Sequence, residues 1–254
     1  MKKFINFLLG LLLFNAILAL GLIISFKAVL SKDNISKIIY TLLETNESSL
    51  DSIAHNTDGH LSKYVDKTKL SKAMGEYINQ TILYNTEVSK TPPNRSIVIE
   101  EIRESIKKYN KDNKDQISED VADNYVEELK EFEEESFKDK KVLILFKTIY
   151  SKKIFGIIIA IIIICASLIM LNSDLNKVFF HLGLTTIMSS TILFIILLIA
   201  NSLINDSTGA EDLIPIVKIT ISKLRNIGIY GLLIGIVSMT LYKIIPKREL
   251  EEKK

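Results

Sequence analysis

Tryptophan is absent from the 254 residues, and the single cysteine, Cys165, lies inside an apolar run. One thiol excludes an intrachain disulfide, so cysteine usage leaves the compartment of any polar domain open. Without tryptophan, an aromatic belt at a membrane surface would have to use tyrosine and phenylalanine. Proline is scarce, with four in all, and the formal net charge is only +2, so no global basic field points to nucleic acid. No HExxH, P-loop, Gly-rich dinucleotide turn or G-x-S-x-G elbow occurs, which removes the common signatures of metalloproteases, nucleotide enzymes and serine hydrolases. Acidic and basic residues are missing from the cores of the long apolar runs. Ion-coupled carriers and proton pumps usually place ionisable groups there, so secondary transport is disfavoured.

The residues that are present are segregated. The chain is 48% hydrophobic and 24% charged, yet its mean hydropathy is +0.25. Those values coexist only where apolar and charged residues occupy separate blocks. Four apolar runs stand out: Phe4 to Phe26, Ile154 to Leu171, Val178 to about Ile204, and Ile227 to Ile245. Each approaches or exceeds the roughly 20 residues that a helix needs to cross a hydrocarbon core of about 30 Å. Backbone groups in lipid must be satisfied internally, so the runs are expected to be helices. The first follows Lys2 and Lys3, as a signal peptide would. It is longer than the usual apolar core of about 7–15 residues, and no clean A-x-A site ends it, so an uncleaved anchor is expected.

Lysine and arginine suggest an orientation. With the N-terminus inside, the short cytoplasmic segments hold Lys2, Lys3, Lys177, Lys243, Lys247, Arg248, Lys253 and Lys254, against Lys218, Lys223 and Arg225 in the outer loop near 205–225. Lys27, Lys32, Lys152 and Lys153 flank the long polar block and argue the other way. Blocks longer than about 60 residues largely escape the rule. Both termini are therefore expected in the cytoplasm.

Residues 28–150 form the polar block, and its apolar residues recur at helical spacing. Ile35, Ile38, Ile39, Leu42 and Leu43 make one stripe; Leu70, Ala73, Met74, Tyr77 and Ile78 make a second. Thr91-Pro92-Pro93-Asn94 punctuates the block, since Pro93 cannot sit in a helix interior. Ile99, Ile102, Ile106 and Tyr109 follow, then a polar loop to Gln116. Ser118 reads as an N-cap for a stripe of Val121, Tyr125, Leu129 and Phe132. A bundle of about four or five helices is expected, the last running through 118–150 towards the second span. In the loop 205–225, Leu213, Val217, Ile221 and Leu224 suit an interfacial helix. Residues 217–222 also alternate like a strand, but a lone strand has no partner.

Few residues offer chemistry. His55, Asp58 and His60 carry metal-ligand side chains within one short segment, beside Asp51. Their spacing matches no established metal motif, so a solvated helix–loop junction is expected, with no metal and no cofactor. Gly228, Gly231, Gly235 and Ser238 lie along the fourth run, and Gly231 to Gly235 is a GxxxG. Small residues let helices approach closely in lipid, so these four are expected at a packing seam, with Gly156 and Ala160 offering a second pair. The hydroxyls of Thr185, Thr186, Ser189, Ser190 and Thr191 are expected to bond back to their own helix rather than line a path. His181 reads as interfacial. Glu127, Glu128, Glu131 and Glu133 to Glu135 read as a solvated helix side.

The expected fold is an all-α membrane protein: four transmembrane helices, with a helical extracytoplasmic domain inserted between spans 1 and 2. Residues 1–27 form the anchor, 28–150 the polar domain, and 151–254 a three-helix region with a short cytoplasmic tail. The expected role is non-enzymatic sensing or partner binding at the cell membrane. Its partners would be the lipid bilayer and another membrane protein or a second copy. The layout of one span, a large outer domain, three spans and cytoplasmic ends is similar to the MacB/FtsX class of ABC-transporter membrane subunits. That resemblance is one of layout and would imply a transport complex with an ATPase partner. The turn from Asn172 to Lys177 is short for the cytoplasmic contact this class uses. A membrane enzyme acting on lipid or peptide is a third reading, without a catalytic cluster to carry it.

Overall fold

The computed structural model describes residues 2–45, 61–114, 116–118, 120–172, 175–205 and 214–245. Among them are nine α-helices, one short 3-10 turn at Leu61–Lys63, and no strand. The helices are α1 (Lys2–Val29), α2 (Lys32–Thr45), α3 (Lys67–Asn85), α4 (Ser96–Asp112), α5 (Asp120–Lys138), α6 (Lys140–Tyr150), α7 (Lys152–Asn172), α8 (Leu175–Asn205) and α9 (Ile214–Ile244). Four of them contain segments long and apolar enough to cross a membrane: Phe4–Val29, Lys152–Asn172, Asn176–Ile199 and Thr220–Ile244.

Two boundaries differ from the sequence reading. The stretch 118–150 is two helices, because Asp139 interrupts it and starts α6: its carboxylate accepts from Lys141 N at 2.8 Å and its carbonyl from Leu143 N. Ser151 then separates α6 from α7, and its hydroxyl accepts from Ile154 N. The loop expected near 205–225 is also shorter, since α9 opens at Ile214 and runs unbroken to Ile244. Pro215 sits in its first turn, where a missing N–H leaves no intrahelical bond unmade. Nothing between there and Gly228 breaks a helix.

The contacts divide the chain into two units. One comprises residues 1–26, 151–208 and 220–254. Here α8 is the central helix, with 33% of its spanning window buried against 11% for each of the other three. Leu13 of α1, Cys165 and Ile169 of α7, and Val178 of α8 form an apolar core. Phe4, Phe7, Ile157, Ile163, Leu233 and Ile234 are among the exposed apolar side chains of the outer helices. Such surfaces are stable in hydrocarbon and costly in water.

The other unit comprises residues 27–150 and 209–219. Its core draws Ile35, Ile39 and Leu43 from α2, Leu70, Tyr77 and Ile82 from α3, and Val98, Ile102, Ile106 and Tyr109 from α4. Ala122 and Leu129 of α5, Ile149 and Tyr150 of α6, and Leu61 and Ile117 between helices complete it. Helix ends are fixed by side chains. Asp66 caps α3 through Thr68 N and Lys69 N. The Ser118 hydroxyl accepts from Asp120 N at 3.2 Å, as an N-cap does. Asn110 clamps the loop after α4, its amide donating to Ile117 O and accepting from Ile117 N, both at 2.8 Å. At the end of α3, Glu87 adopts φ 63°, while Val88 N bonds Leu83 O and Glu87 N bonds Tyr84 O. These two bonds define a Schellman motif with glutamate where glycine is usual. Lys147 of α6 holds that glutamate at 2.5 Å, and this hydrogen bond keeps its carboxyl below the ordinary range.

Candidate functional site

In the polar unit an open groove lies between α2 and α3. Ser36, Lys37, Tyr40, Thr68, Ser71 and Lys72 contribute to its lining, and it encloses about 1070 Å³. The two helices meet tightly along one edge. A Cβ on Gly75 would overlap the Ser36 hydroxyl and stand 2.8 Å from Ser36 N. Lys32 of α2 also reaches Glu76 of α3 at 2.5 Å. Several hydroxyls are already engaged: Ser36 donates to Lys32 O at 2.9 Å and Ser71 to Thr68 O at 3.0 Å. Tyr40 hydrogen-bonds the Glu44 carboxylate, which raises its phenol above the ordinary range. The groove therefore presents ammonium groups and hydroxyl oxygens together with the carboxylates of Asp33 and Glu76.

A second polar cluster ties helices together. Tyr77, 1% exposed, places its hydroxyl 3.2 Å from Leu129 O and 3.1 Å from Glu133 Oε2. Arg95 Nη2 lies 2.7 Å from the same carboxylate oxygen. Glu133 is thus a partly buried ion-pair partner, and only the remaining glutamates of its run keep the solvated role expected for all of them. Beside this cluster, burial pushes the Tyr125 phenol up from 10.0 to about 12, helped by the charges of Glu128 and Tyr77. The sign follows from the linkage: the unfolded phenol ionises near pH 10 and the folded one near 12, so stability present below pH 10 is lost as pH rises through that interval. Alkaline unfolding followed by circular dichroism is expected to show this loss, and Tyr125→Phe should flatten it. An unchanged alkaline profile in Tyr125→Phe would mean that this phenol does not drive the decline.

The glycines of the fourth span face α8. A Cβ on Gly235 would stand 2.6 Å from Ile187 Cγ1 and 3.1 Å from Gly183 O. One on Gly231 would overlap the Ser190 hydroxyl, and one on Gly228 would meet the Phe194 ring at 3.1 Å. Further along, Gly183 faces Met239, and the Phe180 and Tyr242 rings meet at a tilt with centroids 5.2 Å apart. Ser238 is half-buried beside Met239. As the numbers rise on α8 they fall on α9, so the two helices are antiparallel. Gly228, Gly231, Gly235, Ser238 and Tyr242 follow alternating steps of three and four, the spacing of a narrow helix–helix seam. Among the described residues Gly156 and Ala160 form no seam. Nothing lies within 4 Å of a Cβ on Gly156, and Ala160 is exposed.

In α8 the hydroxyls of Thr185, Thr186, Ser189 and Thr191 donate to the carbonyls of His181, Leu182, Thr185 and Ile187 at 2.6–2.9 Å. His181 packs by its Nδ1 against Gly10 of α1 and edge-on to Phe180. His55, Asp58 and His60 lie outside the described residues. Among the described residues no three His, Cys, Asp or Glu side chains cluster as metal ligands would. No family model matches the chain, and neither a curated protein nor a solved structure matches it.

Proposed function

We propose that the chain is a non-enzymatic multi-pass protein of the cell membrane, with both ends in the cytoplasm. In this reading the helical domain of residues 28–150 stands outside the cytoplasm and binds a partner through the groove between α2 and α3. The groove is the observation that carries the reading. Its hydroxyls, the ammonium groups of Lys37 and Lys72 and the carboxylate of Asp33 favour a polar partner that both donates and accepts hydrogen bonds. The short basic end segments support the orientation. A transport-subunit role rests on span order alone, and α7 ends at Asn172 while α8 opens at Leu175, which counts against an ATPase contact between them.

Two experiments test the proposal. A photoreactive residue in place of Lys37 or Lys72 is expected to crosslink one defined partner in cells, whereas Lys107 on α4 is expected not to. Equal crosslinking from all three positions, or none, sinks the groove assignment. For orientation, Ser118→Cys and Lys130→Cys, both at exposed positions, should react with an impermeant thiol reagent in intact cells. Reaction only after lysis would place the domain in the cytoplasm.

A further inference from the structure

We propose that the outward face of α6 lies in the headgroup layer of the membrane and that its occupant there is anionic phospholipid. The inner face of α6 packs on the core of the polar unit. Ile149 and Tyr150 are buried, Phe146 packs 5.8 Å from Phe137, and Lys147 is paired with Glu87. The outer face carries two adjacent large apolar side chains, Ile144 at 63% and Leu145 at 52% exposure. In a helix otherwise packed on a core, such a pair needs a covering.

Chain connectivity and charge together say what covers it. α6 ends at Tyr150, one residue before the membrane-crossing α7 opens at Lys152. At 1.5 Å rise per residue, Leu145 lies only about 8 Å of helix from that end. An interfacial helix buries its apolar face about 5–10 Å into the boundary between headgroups and acyl chains, so the pair is within reach of that layer. The charge inverts just where it must for an anionic surface. Residues 127–135 hold six glutamates and one lysine, whereas residues 138–153 hold six lysines and one aspartate. A negative headgroup layer attracts the second segment and repels the first. A protein partner would not require this switch of sign next to a span.

The test uses the full chain reconstituted in bilayers, on a Cys165→Ala background so that one thiol is labelled at a time. An environment-sensitive fluorophore is placed at Ile144→Cys, at Leu145→Cys and, as a control, at Glu131→Cys on α5. In phosphatidylcholine containing phosphatidylglycerol, the labels at 144 and 145 are expected to shift to the blue. They should lose most of their emission to a quencher carried on the lipid chains, while the label at 131 does neither. Omitting phosphatidylglycerol, or introducing Lys140→Glu with Lys141→Glu, should weaken the quenching severalfold. Emission at 144 and 145 like that at 131 overturns the proposal. So does a blue shift without lipid quenching, which would mean that protein covers the face. Equal quenching with and without phosphatidylglycerol overturns the assignment of anionic lipid.

Discussion

Gly235→Leu is expected to lower the thermal stability of the protein in detergent by about 3 kcal/mol, at the upper end of the usual cost of about 1–3 kcal/mol for overpacking. The atoms around the site decide the size of the effect. Beyond Ile187 Cγ1, a Cβ at 235 meets Gly183 O at 3.1 Å and Ile187 N at 3.2 Å. Backbone atoms cannot rotate aside, so α8 and α9 must separate. The gain in helix propensity on replacing glycine, roughly 1 kcal/mol, is too small to offset this. Gly231→Leu should act in the same direction. Gly231→Ala should be milder, because its nearest neighbour is the Ser190 hydroxyl, which can turn. Ile229→Leu and Ile236→Leu, at positions 43% and 55% exposed, should be neutral, as should Gly156→Leu, with its empty surroundings. Oligomer size should not change, since both sides of the seam belong to one chain. Wild-type stability in both glycine-to-leucine variants would refute a contact here.

The second large effect is expected at Gly75, where even alanine should destabilise. Glycine to alanine inside a helix normally stabilises by roughly 0.5–1 kcal/mol. At Gly75 the sign reverses, because the new Cβ would lie 2.8 Å from Ser36 N and 2.9 Å from Ser36 Cα. The loss should be about 1–3 kcal/mol. In a chain of this size each kcal/mol is worth about 2–4 °C in Tm. Truncating the neighbour does not rescue it: Ser36→Ala removes the hydroxyl but leaves the backbone atoms in place. Thermal unfolding of the full chain in mild detergent, followed by circular dichroism, measures both variants. A rise in Tm for Gly75→Ala would mean that α2 and α3 are not in backbone contact.

These two glycines also mark what was legible in the residues alone. The apolar spans could be read because length and freedom from charge are properties of a continuous run, and the bilayer imposes both. The helical stripes were legible in part: Ile35, Leu70, Ile102 and Leu129 are buried where the 3.6-residue period puts them. The close approach of α2 and α3 was not, because Ser36, Ser71 and Gly75 carry no hydrophobic signal. A stripe reading counts apolar residues, whereas close packing there depends on small ones. Ala122, fully buried beside half-buried Val121, escaped for the same reason. The Tyr77–Arg95–Glu133 cluster was illegible for another reason. Tyr77 and Glu133 are 56 positions apart, and nothing local tells the glutamate that meets an arginine from its solvated neighbours. The groove between α2 and α3 likewise exists only once the two helices are side by side.

The hydroxyls of α8 bear on how the protein is made. Each of Thr185, Thr186, Ser189 and Thr191 donates its proton to a carbonyl three or four residues earlier on the same helix. Hydroxyls satisfied in this way carry no unmet donor into hydrocarbon, so these four do not oblige the span to wait for a neighbour before it leaves the insertion machinery. α9, translated afterwards, then has no hydroxyl of these four to rescue. It has only a shape to find, and the glycines that it brings are the complement of that shape. Biogenesis can thus proceed one helix at a time, with recognition between the last two spans deferred until both are already in the bilayer.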